Sequence, residues 1–270
     1  MRILVVSRVD DAKAVEFAEG LGKALLARNH GLIWEKALAE RLGVRGTSLA
    51  EARADLAIVV GGDGSVLYAV QGLKDQIPIL GINWGEVGFL AELEPGEAAG
   101  FLEGLQEGFR VERRMRIEIT LNGERLGEAL NEAVIVTSRP AKMLRFTVEV
   151  DGIPAERFRA DGMLVSTPTG STAYAMSAGG PIVDPRVEGL LLVPLAPYLL
   201  SSRPVVLAAD RVIRITLESE KPAKLVLDGQ RTRELAIGAV LTVRRSDHPA
   251  LFLDVGKNFF DKVDRKLRRP

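Results

Sequence analysis

The sequence predicts an α/β domain followed by an all-β domain that is built from two packed sheets. Up to residue 108, short runs typical of buried strands alternate with helical segments, as in a parallel sheet covered on both faces. Beyond residue 109 the strongest patterns alternate with period two, and no long helical period occurs before residue 251. We therefore expect one domain over 1–108, joined by a C-terminal helix at 256–270, and a two-sheet β-sandwich over 109–255.

In the α/β domain each predicted element follows from the spacing of its apolar residues. Apolar runs predict strands at 3–6, 56–60 and 77–82, and helical spacing predicts helices at 14–26, 35–42, 66–73 and 95–106. Asp10 or Asp11 is placed to cap the first helix, and Gly43 to close the second. The apolar spacing at 258–267 predicts a short amphipathic helix, which we expect to pack on the first domain.

In the all-β domain the strands follow from alternation and from turn residues. Period-two patterns predict strands at 116–121, 144–150, 212–218, 224–227 and 240–244. The turn dipeptides Asp151-Gly152 and Asp228-Gly229 follow two of these runs directly. A buried strand is expected at 163–167. The apolar segment at 190–200 is expected either to lie in the core or to supply an interface between subunits.

The composition is that of an ordinary globular protein and argues against several kinds of site. The 36 basic and 36 acidic side chains give zero net charge, so the chain has no electrostatic footprint for duplex nucleic acid or an anionic membrane. The absence of cysteine excludes disulfides and thiolate metal sites, and the two histidines are far apart. The N-terminus lacks a signal-peptide pattern, and no apolar run approaches the roughly 20 residues of a membrane span. We therefore expect a cytoplasmic protein.

A glycine-rich segment at 61–65, GGDGS, lies between a predicted strand and a predicted helix. Glycines at such a point let main-chain N–H groups and a helix N-terminus face a bound phosphate. Asp63 is then either the N-cap of the helix or a carboxylate that meets a metal ion or accepts a proton from a nucleophile. The pattern G-x-x-x-x-G-K-[ST] is absent, which excludes a P-loop.

The stretch at 160–183, ADGMLVSTPTGSTAYAMSAGGPIV, is the most distinctive in the chain. Pro168 and Thr169 end its predicted strand, and Gly170 allows a sharp turn because it can adopt positive φ. Small side chains and free N–H groups let a loop approach a phosphate or a sugar closely. A tight surface turn between two sheets has the same composition, so the residues by themselves leave both interpretations open.

Three further polar groups are ambiguous when each is considered alone. Asn131-Glu132 is either a solvated turn or an amide and a carboxylate that read ribose hydroxyls and adenine donors. Arg159 and Asp161 are either an exposed charged pair or substrate contacts. The tripeptide at 228–230, Asp-Gly-Gln, is by itself a hairpin turn.

Residues 161–181 match every fixed position of D-G-x-x-x-S-T-P-T-G-S-T-A-Y-x-x-S-A-G-G-P, and the chain thereby resembles the NAD kinases, which phosphorylate NAD to NADP. Its GGDG is shared by NAD kinases, diacylglycerol-type lipid kinases and 6-phosphofructokinases, whose α/β domains resemble one another. G-I-N-x-G-x-x-G-F-L at 81–90 matches another block of the family. At 196–204 the chain departs from the family's C-P-H-x-L-S-x-R-P at Ala196 and Tyr198, which we expect to affect packing or subunit contacts rather than the reaction.

The resemblance implies a Rossmann-like first domain of the phosphofructokinase and diacylglycerol-kinase type, with NAD in the cleft between the two domains. It implies that the terminal phosphoryl group of ATP is transferred to the 2′-hydroxyl of the adenosine ribose of NAD, with Asp63 as proton acceptor. Mg²⁺ would be carried in with ATP, with no protein ligands of its own. The substrate- and nucleotide-binding residues that it implies are Asp63, Gly64, Asn131, Glu132, Lys142, Arg159, Asp161, Thr172, Ala173, Tyr174, Ala175, Met176, Ser177 and Gln230. Because NAD kinases are typically dimers or tetramers, we expect a homodimer or homotetramer.

Two other functions stay open on the sequence. A lipid kinase of the diacylglycerol type would keep GGDG, but we would not expect it to carry STPTGSTAY, and it would need an apolar or basic surface that faces a membrane. A non-catalytic regulator that binds dinucleotides would have no use for a carboxylate such as Asp63 beside phosphates. The sequence does not decide whether polyphosphate replaces ATP, whether NADH is accepted, or whether NADP(H) inhibits.

Overall fold

The computed structural model describes residues 1–85, 88–105, 108–139, 142–199 and 201–268. The chain divides into two compact units, of which unit 1 comprises Met1–Arg113 and Ala250–Pro270, and unit 2 comprises Arg114–Pro249. These limits lie a few residues from the domain boundaries expected from the sequence. Among the helices formed by the described residues, none has the length and apolar character needed to cross a membrane.

Unit 1 contains one six-stranded sheet with helices packed against it. Its strands are β1 (Arg2–Ser7), β2 (Gly31–Trp34), β3 (Leu56–Gly61), β4 (Ile79–Asn83), β5 (Val111–Arg114) and β18 (Ala250–Leu253). Its helices are α1 (Ala12–Ala27), α2 (Lys36–Leu42), α3 (Asp63–Gly72), α4 (Pro95–Glu103) and α6 (Phe259–Val263), the last continued by a π-helical turn over Asp264–Arg268. The strand order is β2-β1-β3-β4-β18-β5, and the pairs from β2 to β18 are parallel. The α/β fold expected for this part of the chain is therefore confirmed.

The sequence patterns of unit 1 explain most of these elements. Asp11 caps α1 by accepting hydrogen bonds from the N–H groups of Lys13 and Ala14, and Gly43 closes α2 in the left-handed conformation at φ 70°. Strand β2 was not predicted, because it is short and only partly buried. The helix expected at 95–106 ends at Glu103, and Gln106 lies outside the described residues.

One difference in unit 1 bears on the site. The helix expected at 66–73 begins three residues earlier, so that Asp63 is its first residue and Gly62 is its N-cap. The possibility that Asp63 is an N-cap is therefore wrong. Its side chain is available for another role.

Unit 2 consists of two antiparallel six-stranded sheets that share one core. The first sheet has the order β10-β9-β14-β17-β6-β7, and the second has the order β13-β12-β11-β8-β15-β16. The bounds are β6 (Ile117–Leu121), β7 (Glu124–Ala129), β8 (Glu132–Thr137), β9 (Leu144–Val150), β10 (Ile153–Ala160), β11 (Gly162–Ser166), β12 (Gly189–Leu195), β13 (Val205–Ala208), β14 (Ile213–Leu217), β15 (Ala223–Leu227), β16 (Arg231–Leu235) and β17 (Val240–Arg245). Phe146 and Ile215 of one sheet lie in the same buried cluster as Met163 and Leu225 of the other. The expected two-sheet β-sandwich is confirmed.

Three central strands of the second sheet bring distant parts of the sequence together. β8 pairs with β11 on one side, with Glu132 opposite Ser166, and with β15 on the other, with Ala133 opposite Leu227. Because neighbouring strands are antiparallel, the beginning of β8 lies beside the ends of β11 and β15. The Asn-Glu pair, the STPTG stretch and the Asp-Gly-Gln turn therefore lie together at one end of these three strands.

Most of the apolar segment at 190–200 has the core position that was one of the two roles expected for it, and its role as a subunit interface stays a prediction. Strand β12 is buried along its whole length, so this part of the segment belongs to the core of unit 2. Tyr198 and Leu199 are exposed, and Leu200 lies outside the described residues.

Candidate active site

In unit 1 the carboxylate of Asp63 anchors the main chain that follows the neighbouring strand. Strands β3 and β4 are adjacent and parallel, so the segments after their carboxyl ends lie at the same edge of the sheet. The N–H of Phe89 donates to Oδ2 of Asp63 at 2.6 Å, and those of Leu90 and Ala91 donate to Oδ1 at 2.8 and 3.2 Å. The GGDGS segment and the block at 81–90 therefore form one structural unit, although Glu86 and Val87 lie outside the described residues.

Two glycines beside Asp63 have different reasons to be glycine. A Cβ on Gly88 would lie 2.0 Å from Oδ1 of Asp63, so a larger residue would collide with the anchored carboxylate. A Cβ on Gly64 would meet no atom within 4 Å, and φ there is not positive. Internal packing therefore does not require a glycine at 64, and its bare backbone leaves open space beside the first turn of α3.

In unit 2 a buried aspartate, Asp228, holds the main chain of the Asn-Glu pair. Asp228 is 2% exposed, and its carboxylate accepts hydrogen bonds from the N–H groups of Leu130, Asn131 and Glu132 at 2.8, 2.7 and 3.0 Å. Asp228 itself takes φ 49° in the turn between β15 and β16, a conformation that aspartate tolerates better than most residues. The pair is thus fixed through its main chain, and its side chains take no part in this anchoring.

The STPTG stretch fixes the same two residues from the other side. The hydroxyl of Ser166 donates to the carbonyl of Asn131 at 2.9 Å, and the N–H of Thr167 donates to the same carbonyl at 2.9 Å. The chain turns at Gly170 within a 3₁₀ turn over Thr169–Thr172, but Gly170 does not have the positive φ expected for it. A Cβ on Gly170 would instead lie 2.2 Å from the carbonyl oxygen of Asn131, and this close approach requires glycine. Thr169, Gly170 and Ser171 are also buried, which rules out the surface turn.

The side chains of the Asn-Glu pair carry buried oxygen atoms without partners. Asn131 and Glu132 are 6% and 7% exposed, and Oδ1 of Asn131 and Oε2 of Glu132 accept no hydrogen bond among the described residues. Burial, with a smaller contribution from the negative charge of Asp228, raises the pKa of Glu132 to about 8. At neutral pH Glu132 is therefore mostly protonated and able to donate a hydrogen bond as well as to accept one. Unpaired buried polar atoms are costly in a folded protein and are typical of a site that binds a polar ligand.

The loop at 172–177 continues directly from this arrangement. It begins at the end of a 3₁₀ turn over Thr169–Thr172 and includes α5 (Tyr174–Ser177). The N–H of Ala173 donates to the carbonyl of Gly170 at 2.9 Å, and Ala175 is buried, whereas Tyr174 is 45% exposed. Asp161 is half-buried, and its main chain bonds to Thr137 and Leu195 on either side.

The remaining sequence-predicted residues are not joined to the pair. Lys142, Arg159 and Gln230 are exposed, and no hydrogen bond among the described residues links them to Asn131 or Glu132. The guanidinium of Arg159 lies 4.2 Å from the centre of the Tyr198 ring, a cation–π contact. Within the described part of the chain, no group of three or more His, Asp or Glu side chains is placed to hold a metal ion.

Sequence reasoning missed the role of Asp228. The dipeptide Asp228-Gly229 was interpreted as an ordinary hairpin turn, which it forms, but its carboxylate is also the anchor of residues 130–132. The alternating run at 224–227 carried no signal for this role, because period two places residue 228 on the face opposite to the buried Leu225 and Leu227.

Comparison with known proteins assigns both units to one family. Residues 3–109 match the ATP-NAD kinase N-terminal domain, and residues 130–255 match the ATP-NAD kinase C-terminal domain. The chain belongs to the NAD kinase family. It is 61% identical to the NAD kinase of Methanoculleus marisnigri over 99% of both chains, and 56% identical to that of Methanoregula boonei over the full length of both.

Solved structures of this family agree with the fold. A crystal structure of an NAD kinase from Archaeoglobus fulgidus in complex with ATP superposes with a TM-score of 0.84 at 34% identity, and covers 99% of this chain and 100% of that one. A yeast NADH kinase complexed with NADH superposes with a TM-score of 0.91, covers 99% of this chain and 87% of that one, and at 24% identity supports the fold alone. The family, the fold class and the enzyme class expected from the sequence, a phosphotransferase, are confirmed.

Proposed function

We propose that this NAD kinase family member transfers the terminal phosphoryl group of ATP to the 2′-hydroxyl of the adenosine ribose of NAD. The observation that carries the proposal is the pair of buried oxygen atoms on Asn131 and Glu132, which have no partner among the described residues. The main chain that carries them is held by Asp228 and Ser166 before any ligand arrives. An amide beside a carboxyl group on a fixed main chain is suited to hold the hydroxyls of a ribose or the donors of an adenine.

Asp63 is the proton acceptor in this proposal. Its two oxygen atoms are oriented by three main-chain N–H groups, and Oδ2 accepts only one of them. Since a carboxylate oxygen can accept two hydrogen bonds, Oδ2 has room for the hydroxyl of the acceptor. The proton moves from that hydroxyl to Asp63 as the ribose oxygen attacks phosphorus. Such assistance is typically worth about 10²–10⁴-fold in rate.

The phosphoryl donor is assigned to the glycine-rich start of α3. Gly64 leaves open space there, and the helix N-terminus favours negative charge. Mg²⁺ would be carried in with ATP, where its positive charge would offset the negative charge of the donor phosphates. Polyphosphate is an alternative donor of the same chemistry.

The remaining residues have roles that the family resemblance suggests. Asp161 and the loop at 172–177 contact NAD, which the half-burial of Asp161 and the direct connection of the loop to the anchored Gly170 support. Lys142, Arg159 and Gln230 stay predictions as substrate contacts. A homodimer or homotetramer in the cytoplasm likewise remains a prediction.

The family match argues against the lipid kinase and the non-catalytic regulator that the sequence alone left open. A lipid kinase of the diacylglycerol type would not account for the match of residues 130–255 to the ATP-NAD kinase C-terminal domain. A non-catalytic regulator does not fit the phosphotransferase class that the relatives of this chain show.

The deciding experiment is direct. The purified protein is incubated with NAD, ATP and Mg²⁺, and NADP is read by a dehydrogenase specific for NADP. We expect NADP to form in proportion to enzyme and to require all three additions, with Asp63→Asn as the inactive control. Failure to form NADP above background, in a protein that still binds NAD by calorimetry, would favour the regulator. Replacing ATP by polyphosphate, and NAD by NADH, defines the range of substrates.

A further inference from the structure

Basic side chains near the C-terminus line a small cavity in unit 1. None of the roles proposed above uses this cavity. The cavity wall includes Gly88 and Ala91, at either end of the segment that Asp63 anchors. Two acidic and four basic residues complete the wall, namely Glu92, Glu94, Lys257, Lys262, Arg265 and Lys266.

Two of the four cations are neutralised within the chain. Nζ of Lys257 lies 2.6 Å from the carboxylate of Glu97 and donates to the carbonyl of Glu92 at 2.9 Å. Lys262 is 7% exposed and forms an ion pair with the carboxylate of Glu92. The positive charge that remains available in the cavity therefore belongs to the other two cations.

Of these two, Lys266 lies against the segment that Asp63 anchors. Its Nζ is 4.3 Å from the centre of the Phe89 ring, and the N–H of Phe89 is the group that donates to Oδ2 of Asp63 at 2.6 Å. No carboxylate of the described residues lies at ion-pair distance from Lys266.

The charge on Lys266 is not fully stabilised by the chain itself. The pKa of Lys266 is lowered to about 8. Burial is the largest cause and the positive charge of Lys262 adds to it, while the negative charges of Asp63, Glu92 and Glu94 act in the opposite direction. An ammonium group that is partly removed from water and lacks a carboxylate partner gains most from a bound anion.

We propose that Lys266 binds the terminal phosphate of the phosphoryl donor, so that the C-terminal segment contributes directly to phosphoryl transfer. This inference rests on the proposed function, because it assigns a further residue to the same reaction. The carboxylate of Asp63 and the donor phosphates repel one another, and an ammonium group beside the same segment offsets that repulsion as the phosphoryl group moves.

In the proposed phosphoryl transfer all atoms and charges are accounted for, and Lys266 is chemically unchanged. A bond forms between the ribose 2′-oxygen and the terminal phosphorus of ATP. The bond from that phosphorus to its bridging oxygen breaks, and the electron pair leaves on ADP. The proton of the hydroxyl goes to Asp63, while Lys266 keeps its protons and binds phosphate oxygens throughout.

The kinetic test compares Lys266→Met with Lys266→Arg. Loss of one charge-assisted hydrogen bond predicts that Lys266→Met raises the KM for ATP about tenfold to a hundredfold, with a fall in kcat and little change in the KM for NAD. Lys266→Arg keeps the charge and should recover most of both losses. Lys23→Met is the matched control, because Lys23 is an exposed lysine of α1 paired only with Glu19. If Lys266→Met keeps the wild-type KM for ATP and kcat, or changes only the KM for NAD, the proposal is wrong.

A second measurement uses the wild-type protein and so does not depend on the folding of a variant. Lysines are acetylated at pH 8 with limiting acetic anhydride, with and without inorganic tripolyphosphate or ATP with Mg²⁺, and the sites are read by mass spectrometry. We expect the polyanion to slow acetylation of Lys266 and to leave Lys23 unchanged. Equal labelling of Lys266 in its presence and absence would overturn the proposal. Protection in a protein that makes no NADP would show that the anion site holds and that the proposed function has failed.

Discussion

A Cβ on Gly88 would lie 2.0 Å from Oδ1 of Asp63, so the glycine of one sequence motif is dictated by the aspartate of another. Any larger residue at position 88 would have to displace the carboxylate of Asp63. The relationship makes the segment at 88–91 and the first residue of α3 a single element of the site.

We expect Gly88→Ala to displace the Asp63 carboxylate from the main chain of 89–91. Loss of these hydrogen bonds should cost about 1–3 kcal/mol of stability and lower kcat at least about tenfold. Gly96→Ala is the matched control, because a Cβ there meets no atom within 4 Å and the residue lies in α4. That change should be neutral or stabilising by up to about 1 kcal/mol. Thermal unfolding and steady-state kinetics on both variants check this prediction.

We expect Asp63→Asn to lower kcat at least about a hundredfold while NAD still binds. Asparagine offers one oxygen where the N–H groups of 89–91 require two acceptors, so the melting temperature should also fall. If excess Mg²⁺ restores the rate, Asp63 acts through the metal; if it does not, the role of proton acceptor is favoured. A variant that keeps more than about a tenth of the wild-type kcat would show that neither role is essential.

We expect Asp228→Asn to weaken the hydrogen bonds that fix the main chain of Asn131 and Glu132. The amide nitrogen of asparagine would face the N–H of Leu130, which leaves a buried donor unpaired at a cost of about 1–3 kcal/mol. NAD affinity should weaken as well, because residues 131 and 132 lose their fixed position. Asp151→Asn is the matched control, since Asp151 occupies the other Asp-Gly turn with φ 52° but makes exposed contacts only. Calorimetric titration with NAD would contradict the prediction if both variants bound alike.

We expect Glu132→Gln to change how stability depends on pH. The pKa of Glu132 is about 8 in the folded protein, against 4.5 for an ordinary glutamate such as that of the unfolded chain, so between these values the folded state binds the extra proton. Wild-type stability therefore falls as pH rises from about 4.5 to about 8, by at most about 1.4 kcal/mol per pH unit from this group. Glutamine does not titrate, so the variant should gain melting temperature relative to wild type from pH 5 to pH 8. Glu220→Gln, at an exposed position, is the control and should follow wild type.

We expect a homodimer or homotetramer in solution. Zero net charge produces no long-range repulsion between subunits, and β13 is an edge strand that exposes Val205 and Val206 by 42% and 49%. Light scattering after size exclusion at micromolar concentration measures the mass. A value near 29.3 kDa, that of one chain, would contradict this expectation.

The elements that the sequence predicted well are those with a buried apolar run or a clear alternation. Strands β3 and β14 are examples, because their own residues carry the pattern that their burial requires. Strands β10 and β16 were not predicted, since both lie at sheet edges and most of their side chains are exposed. Edge strands bury little surface and leave a weak periodicity.

The sequence predicted which residues form the candidate site, but not the hydrogen bonds and packing contacts that join them. The motifs identified Asp63, Asn131 and Glu132, but no local pattern shows that Asp63 bonds to 89–91. Gly170 was expected to be glycine for its backbone angle, whereas the reason is the carbonyl of Asn131 packed against it. Such requirements come from atoms distant in the sequence, which a local pattern cannot contain.

The anchor on residues 130–132 comes from a carboxylate that lies 96 to 98 positions further along the chain. During synthesis at about 5–20 residues per second, the ribosome makes the Asn-Glu pair several seconds before its anchor. Contacts of such long separation also form late in folding. A nascent chain that has not yet reached residue 228 therefore cannot fix the main chain of residues 130–132, and unit 2 acquires this anchored arrangement only when its synthesis is nearly complete.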